Sequence, residues 1–238
     1  MKIFITGYRG ELGKDIMPLL AEHEVTVYDL QDGHDVTDLN QLLSIMPDSP
    51  DLVIHLANVP HPHCFADHGP YIQTNVGGTR NIIKACKQKG AKSIVFVSSL
   101  AAIGWDAPLS GKKMDGTDEY PLGDPPWDEE RAVQMPINYD LEHYGASKVE
   151  QENLLRESGI PTMILRCGPY GHPNGLKHDY WEHAFSAPYL VPLMKKILET
   201  GVTKTDVIHV CGGGMFGGDK LQRIIKSKTK KVRRKDKK

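Results

Sequence analysis

Residues 6–13, TGYRGELG, place three glycines at three-residue intervals, at Gly7, Gly10 and Gly13. The stretch directly follows the apolar run KIFIT (2–6) and opens a helical pattern. Glycines at such a junction permit a tight turn and close approach of a ligand to the backbone, and the amino end of the helix offers oriented N–H groups to an anion. The stretch therefore predicts a phosphate-binding loop between a first strand and a first helix.

Outward from this loop, short β-branched runs alternate with helical stretches. The predicted strands are KIFIT (2–6), EVTVYD (24–29), DLVIHLA (51–57), KSIVFVSS (92–99) and PTMILR (161–166). The predicted helices cover residues 11–23, 37–46, 68–89 and 143–158. Near-continuous apolar strands separated by helices indicate a parallel sheet that is covered on both faces. The expected fold class is α/β, a doubly wound (Rossmann) parallel sheet, with ligands beyond the carboxyl ends of the strands.

Two stretches interrupt the alternation. Residues 105–142 are rich in Pro, Gly and Asp and predict a long loop. Residues 167–225 mix turns with a helical stretch, PYLVPLMKKILETG, and a strand, DVIHV, so we expect a small C-terminal cap on the substrate side. The expected domains are a dinucleotide-binding domain over 1–166, the cap over 167–225 and a basic tail over 226–238.

The net charge of −1 conceals an asymmetry. The tail, KSKTKKVRRKDKK (226–238), carries nine Lys/Arg and one Asp, which leaves about −9 on residues 1–225. An acidic body with a basic end favours a small-molecule protein over a nucleic-acid-binding domain. The tail has no apolar face to bury and is expected to be solvated and disordered. A contact between the tail and nucleic acid, or another acidic partner, is the alternative.

The sequence suggests a reducing compartment. It begins without a secretory pattern, and no apolar run approaches the ~20 residues that span a membrane. Its four cysteines, Cys64, Cys86, Cys167 and Cys211, are scattered without CxxC spacing. Neither a disulfide framework nor a zinc site is indicated, so we expect a cytoplasmic protein without membrane contact.

The residue at the end of the second predicted strand bears on the choice of cofactor. Asp29 follows the glycine loop by about twenty residues, where an acid accepts hydrogen bonds from the ribose hydroxyls and repels a 2′-phosphate. This favours NAD, unless Asp29 is simply a surface residue. Arg9, inside the loop, is a signal in the other direction because it could pair with a 2′-phosphate. NAD is therefore expected, and NADP stays open.

Seven segments, taken in order, resemble the extended short-chain dehydrogenases/reductases of the NAD-dependent epimerase/dehydratase family. They are TGYRGELG (6–13), DVTD (35–38), VIHLAN (53–58), NVGGTRNII (75–83), VFVSSLAAIG (95–104), YGASK (144–148) and ILRCGPYG (164–171). The resemblance implies an NAD(P)-dependent oxidoreductase or epimerase that acts on a sugar, sugar acid or nucleotide-sugar. We also expect a homodimer. A non-catalytic dinucleotide-binding regulator or scaffold that uses the basic tail is the alternative function.

The resemblance assigns catalytic roles to three residues. Tyr144 would be the acid/base, Lys148 would lower the pKa of its phenol and bind the nicotinamide ribose, and Ser99 would hydrogen-bond the reacting oxygen. Ionising a phenol near pH 7 costs about 4 kcal/mol, and an ammonium at ~4 Å supplies about that at an effective dielectric of 20. Ser98 is the alternative to Ser99, and a mere amphipathic helix face is the alternative for Tyr144 and Lys148.

The resemblance also assigns contacts with the cofactor. They are Gly7, Arg9, Gly10, Glu11, Leu12, Asp29, Asp35, Val36, Leu56, Ala57, Asn75 and Lys148. His55 follows a family position near the cofactor as well. For Asn75 and His55 a satisfied structural role is an equal alternative. Glu150 and Glu152 are expected on solvated faces of their helix.

Two departures from the family pattern limit which reactions and substrates we expect. The family's dehydratases carry an Asp-Glu pair just after the serine/threonine, where this chain has Leu100 and Ala101. An epimerase or a dehydrogenase/ketoreductase is therefore expected rather than a dehydratase. The segment after Arg166 is short for the family's substrate domain, which favours a simpler sugar, sugar acid or other carbonyl compound over a large nucleotide-sugar.

Two further stretches are expected to carry no ligand. His61, His63, Cys64 and His68 could hold a metal, but their prolines and irregular spacing favour a polar loop, so no metal is predicted. CGGGMFGG (211–218) lacks the Lys-Ser/Thr of a nucleoside triphosphate loop and predicts a flexible turn.

Overall fold

The computed structural model describes residues 1–60, 68–103, 128–130, 134, 143–168, 186–211 and 218–227. Several predicted features lie wholly or largely outside these ranges. They are the long loop 105–142, the metal or polar-loop residues His61, His63 and Cys64, the family position Gly104, the end of the last matching segment (169–171), the glycine-rich stretch 212–217 and the basic tail beyond residue 227.

Within the described residues, six parallel strands form one sheet. They are β1 (Lys2–Thr6), β2 (Glu24–Tyr28), β3 (Leu52–His55), β4 (Ile94–Ser99), β5 (Thr162–Cys167) and β6 (Asp206–Val210). Their order is β2-β1-β3-β4-β5-β6, and every neighbouring pair is parallel. Because β2 and β3 flank β1 on opposite sides, the winding reverses there and opens a crevice at the carboxyl ends of β1 and β3. The expected doubly wound parallel fold is confirmed.

Helices connect these strands. They are α1 (Glu11–Ile16), α2 (Leu39–Ile45), α3 (Gly78–Lys89), α4 (His143–Glu157), α5 (Ala187–Thr200) and α6 (Asp219–Lys226). A π-helical segment (Tyr71–Gly77) precedes α3, and 3-10 turns lie at Met17–Leu20, Leu30–Asp32 and Leu100–Ile103. No helix in the described part of the chain is both long and apolar enough to cross a bilayer.

Two hydrophobic cores cover the two faces of the sheet. Along β1, Ile3 and Ile5 enter one core while Phe4 enters the other. Helices α1, α5 and α6 fill the first core, and α2, α3 and α4 contribute to the second. Each fully buried large apolar side chain contributes about 1.5–3 kcal/mol. Coverage of both faces explains why the strands read as apolar runs without polar alternation.

The predicted helices differ from the observed ones mainly at their ends. The helix expected over 11–23 becomes α1 and a 3-10 turn, because Pro18 lacks the N–H that would continue the α-helical bonding. The helix expected over 68–89 begins as the π-helical segment and becomes α-helical only at Gly78. Within this segment, the side chain of Asn75 forms hydrogen bonds with Val59 and Ser147, which lie outside the helix.

The C-terminal residues complete the sheet. All five residues of β6 pair with β5. Leu193 of α5 and Leu221 of α6 lie in the same core as Ile5 of β1. Residues 186–211 therefore share the sheet and the first core with residues 1–166, and the domain boundary expected at residue 166 stays a prediction.

Candidate active site

The glycine loop joins β1 to α1 and packs against the residues that follow β3. Gly7 has φ +72°, and a Cβ added to it would lie 2.5 Å from Ala57 N. A Cβ added to Gly13 would overlap the backbone of Tyr8. Side chains at these two positions would force the loop away from its neighbours, which explains the need for glycine.

The same crevice gathers half of the predicted cofactor residues. Gly10 is the N-cap residue of α1, and within the described residues no side chain caps that end of the helix. Leu56 N–H donates to Thr6 O at 3.1 Å, which holds the end of β3 beside the end of β1. The residues brought together here are Gly7, Gly10, Glu11, Leu12, Leu56 and Ala57.

Asp29 lies at the end of β2 and is directed at the glycine loop. Its Oδ2 accepts from Arg9 N–H at 3.1 Å and its Oδ1 accepts from Gln31 N–H at 2.9 Å. The residue is only 7% exposed, which is inconsistent with a simple surface aspartate. The side chain of Arg9 turns away from Asp29 and forms an ion pair with Asp32.

Asp35 and Val36 lie further along the segment after β2. Tyr28 Oη donates to Asp35 O at 2.7 Å, and Asp35 Oδ1 accepts from Thr37 N–H at 2.8 Å. Val36 is buried, and its Cγ2 would lie 2.7 Å from a Cβ on Gly78. These bonds and contacts fix the segment against α3 at the edge of the crevice.

Asn75 and His55 occupy fully buried, hydrogen-bonded positions. Asn75 Oδ1 accepts from Val59 N–H at 2.7 Å, and its Nδ2 lies 3.3 Å from Ser147 Oγ. His55 Nδ1 lies 2.8 Å from Thr6 Oγ1. Burial, with a smaller contribution from the charge of Lys148, lowers the pKa of His55 to about 3, so its ring is neutral. These bonds give both residues a structural role, and their predicted place near the cofactor stays a prediction.

Tyr144 and Lys148 project from the same face of α4. Lys148 Nζ donates to Val97 O at 3.1 Å and lies 5.6 Å from the centroid of the Tyr144 ring. Tyr144 is half-buried, whereas Lys148 is 2% exposed. Burial lowers the pKa of Lys148 to about 7, and the charge of Glu152 opposes this shift. The amine therefore lies beside the Tyr144 ring, where its charge, when it is protonated, favours the phenolate.

The two serines at the end of β4 have different environments. Ser98 is buried, and its hydroxyl donates to Glu152 Oε1 at 2.6 Å. Ser99 is partly exposed, and its Oγ accepts from Ala101 N–H at 3.1 Å. This leaves the hydroxyl proton of Ser99 available to a ligand, while that of Ser98 is committed to Glu152. The geometry favours Ser99 over Ser98 as the predicted contact of the reacting oxygen.

Glu152 is wholly buried, so the expectation of a solvated face was wrong for this residue. Arg166 donates to both of its carboxylate oxygens, at 2.9 Å each, and Arg156 donates to Oε2 at 2.9 Å. Burial by itself would raise the pKa of Glu152, but the hydrogen bonds and charge of Arg166 outweigh it and lower the pKa. Counter-charges from β5 and from α4 itself make the buried position tolerable. Glu150, by contrast, is partly exposed and pairs with Arg80.

The chain is similar to a known protein family over most of its length. The sequence model of the NAD dependent epimerase/dehydratase family matches residues 3–210, which include all six strands except the first residue of β1. The chain belongs to this family.

Two relatives show how similar this sequence is to those of known proteins. GDP-6-deoxy-D-mannose reductase of Pseudomonas aeruginosa is 30% identical over 215 residues, which are 88% of this chain and 64% of that protein. UDP-glucose 4-epimerase of Azospirillum brasilense is 27% identical over 187 residues, which are 69% of this chain and 48% of that protein. The chain therefore spans less than two thirds of the length of these relatives.

A solved structure supports the fold independently. A mutant of uronate dehydrogenase from Agrobacterium tumefaciens, complexed with NAD, superposes with a TM-score of 0.71 at 21% identity. The superposition covers 94% of this chain and 82% of that one. The likeness agrees with the parallel α/β fold formed by the described residues.

Two residues at this site, Asp32 and Glu152, were not predicted from the sequence. Asp32 falls in a 3-10 turn after β2, where the sequence offers no periodic pattern that would predict its ion pair. Glu152 could have been found, because it follows Tyr144 and Lys148 at the same four-residue spacing and therefore lies on the same helix face. Leu100 and Ala101, in contrast, are buried apolar residues, and they put no acid beside Ser99.

Proposed function

We propose that this protein is an NAD(P)-dependent oxidoreductase or epimerase that moves hydride to or from a sugar, sugar acid or nucleotide-sugar. The observation that carries the proposal is the arrangement of Tyr144, Lys148 and Ser99 at the carboxyl ends of the strands. Lys148 Nζ lies beside the Tyr144 ring, and Ser99 ends β4, the strand whose Val97 O accepts from Lys148.

Each of the three residues has a distinct task in the proposed reaction. Tyr144 exchanges a proton with the substrate hydroxyl or carbonyl oxygen as general acid/base. Lys148, when protonated, stabilises the phenolate of Tyr144 by its charge. Ser99 donates its hydroxyl proton to the reacting oxygen, which aligns the substrate. The nicotinamide of a bound dinucleotide supplies or accepts the hydride.

The residues around the crevice fit a dinucleotide. Gly7 and Gly13 let the loop backbone pack closely against Ala57 and Tyr8, which shapes the turn, and the amino end of α1 beyond it can receive a pyrophosphate. Asp29 presents a carboxylate, already oriented by Arg9 N–H and Gln31 N–H, at the position where the adenosine ribose binds in this fold. Lys148 would contact the nicotinamide ribose once the cofactor is in place.

The substrate class rests on the relatives. The reductase and the epimerase are named for nucleotide-sugars, and the solved dehydrogenase is named for uronates. The buried Leu100 and Ala101 offer no acid for eliminating water, so a dehydratase is not proposed. A scaffold without activity gains no support from relatives that are named for their reactions.

A two-part experiment tests the proposal. A thermal-shift screen with NAD and NADP should show stabilisation by at least one of them. Absorbance of reduced nicotinamide, followed with a panel of sugars, uronates and nucleotide-sugars, then separates a dehydrogenase, which accumulates reduced cofactor, from an epimerase, which returns it unchanged. Absence of stabilisation by either dinucleotide would contradict the proposal.

Tyr144→Phe provides the decisive variant. We expect turnover to fall by about 10²–10⁴-fold because the proton donor is lost, while the affinity for the dinucleotide stays within about threefold. Tyr189→Phe on α5 is the matched control and should retain activity. Loss of cofactor binding together with activity would instead indicate that the variant is misfolded, which circular dichroism checks. Full activity in Tyr144→Phe would overturn the assigned role.

We also propose a cytoplasmic location and a homodimeric assembly. Cys86 and Cys167 are buried thiols that form no disulfide, which suits a reducing compartment such as the cytoplasm. Fractionation of cells that express the protein would test this.

The homodimer is a prediction that light scattering on the purified protein can check.

A further inference from the structure

Three side chains beside the glycine loop form a cluster that the catalytic arrangement does not use. Arg9 forms an ion pair with Asp32, and Tyr8 Oη donates to the other oxygen of the same carboxylate at 2.8 Å. The guanidinium of Arg9 also lies 5.3 Å from the centroid of the Tyr8 ring. Asp32 therefore holds Arg9 by charge, and the aromatic ring supports its position.

The cluster lies next to Asp29, the expected ribose contact. Arg9 N–H donates to Asp29 Oδ2 at 3.1 Å, so the backbone and the side chain of Arg9 bind two different carboxylates. Hydrogen bonds from Arg9, then from Tyr8, lower the pKa of Asp32, which is ionised at neutral pH. Counted over these three groups alone, two aspartates and one arginine carry a net charge of −1.

This charge balance bears on the 2′ position of the adenosine ribose. A free arginine in the glycine loop would bind a 2′-phosphate through its planar fork of donors. Here the Arg9 guanidinium donates to Asp32 Oδ1 and its charge is paired, while the charge of Asp32 adds to that of Asp29 against an incoming phosphate. A ribose with a free 2′-hydroxyl meets neither obstacle, because it can donate to Asp29.

We infer that Asp32 is a specificity-determining residue: by holding Arg9, it makes the crevice select a dinucleotide without a 2′-phosphate. The inference rests on the proposed dinucleotide site and adds the residue that decides between NAD and NADP. It also accounts for the conflict in the sequence between Asp29 and Arg9, since Arg9 is committed to Asp32.

Asp32→Asn tests the inference because it removes the charge and keeps an oxygen that accepts from Tyr8. Titration calorimetry at fixed ionic strength should show NADP binding about tenfold tighter than to wild type, with NAD changed less than about twofold. Asp48→Asn is the matched control: it removes the same charge from an exposed pair with Lys89 and should leave both affinities unchanged.

A second variant identifies the mechanism. Adding Arg9→Ala to Asp32→Asn should abolish the gain in NADP affinity, because the released arginine is what binds the phosphate. If wild type binds NAD but Asp32→Asn leaves the ratio of the two affinities unchanged, the inference is overturned. The same holds if the gain survives Arg9→Ala. If wild type binds neither dinucleotide, the proposed function itself fails instead.

Discussion

At Lys148 the proposed function conflicts with the stability of the protein, because the reaction needs a charged amine where burial makes a charge costly. Burial lowers its pKa to about 7, against about 10.4 for a free lysine. Below pH 7 the side chain is protonated in both the folded and the unfolded state, so folding carries the full cost of a buried charge. Between pH 7 and about 10.4 the unfolded chain binds the proton more tightly, and stability rises with pH.

Replacing Lys148 should therefore relieve a cost that depends on pH. We expect the free energy of unfolding of Lys148→Met, relative to wild type, to be most favourable near or below pH 7. The difference should decline by on the order of 4 kcal/mol as the pH approaches about 10. Loss of the bond to Val97 O adds a penalty that is the same at every pH.

Urea unfolding at a series of pH values measures this difference. Lys92→Met, which alters a lysine whose side chain is 66% exposed, is the control and should show no such trend. Parallel stability curves for Lys148→Met and wild type would show that the buried ammonium carries no cost.

At the scale of the element, α4 combines catalytic and structural tasks on one face. Tyr144, Lys148 and Glu152 follow at four-residue spacing, so they line one side of the helix. Lys148 attaches this side to β4 through Val97 O, and Glu152 attaches it to β5 through Arg166. The buried ion pair thus fixes the orientation of the helix that presents the acid/base.

Glu152→Gln should destabilise the protein by about 3–5 kcal/mol, because it leaves the buried charge of Arg166 without its counter-charge. Glu150→Gln, two residues earlier on the same helix, breaks a partly exposed pair with Arg80 and should cost less than about 1 kcal/mol. Urea unfolding at pH 7 measures both.

The pH dependence provides a second check. Because the pKa of Glu152 is lowered in the folded state, its contribution is present above about pH 4.3 and is lost as the pH falls through the folded value. The difference between Glu152→Gln and wild type should shrink in acid. Equal costs for the two variants at pH 7 would show that burial of Glu152 is energetically unimportant.

At the scale of the whole molecule, the described amino- and carboxy-terminal segments share one core. Leu193 of α5 packs in the cluster that contains Ile5 of β1 and Ile208 of β6. Since the last helix–strand unit covers the same face as the first, neither can lose its packing without exposing the other. This predicts cooperative unfolding of the described residues as a single unit.

Leu193→Ala should lower the free energy of unfolding by about 2–5 kcal/mol and shift one calorimetric transition as a whole. The calorimetric and van't Hoff enthalpies should agree in both proteins. Leu42→Ala, in the core on the opposite face, is the control and should shift the same transition. A separate low-temperature transition in Leu193→Ala would instead indicate an independent C-terminal domain.

Local patterns were sufficient for much of the fold, and the resemblance to the family supplied the catalytic candidates. The apolar runs predicted five of the six strands in one sheet, and the glycine spacing predicted the loop after β1. Tyr144 and Lys148 were assigned by the resemblance to the family, and their four-residue spacing places them on one face of the helix. Ser99 came from the family's order of segments and was separated from Ser98 only by the hydrogen bonds of each hydroxyl.

What the tertiary structure decided was the partner of each charge and the place of the last strand. The sequence left Arg9 available to a phosphate, whereas in the structure Arg9 forms an ion pair with Asp32. The sequence predicted that Glu152 faces water, whereas in the structure it is buried in an ion pair with Arg166. The strand DVIHV was evident from its residues, whereas its position beside β5 depended on long-range pairing. The physical reason is the same in each case. Periodicity along the chain encodes which face of an element is buried, while burial, pairing and pKa depend on residues from distant segments that only folding brings together.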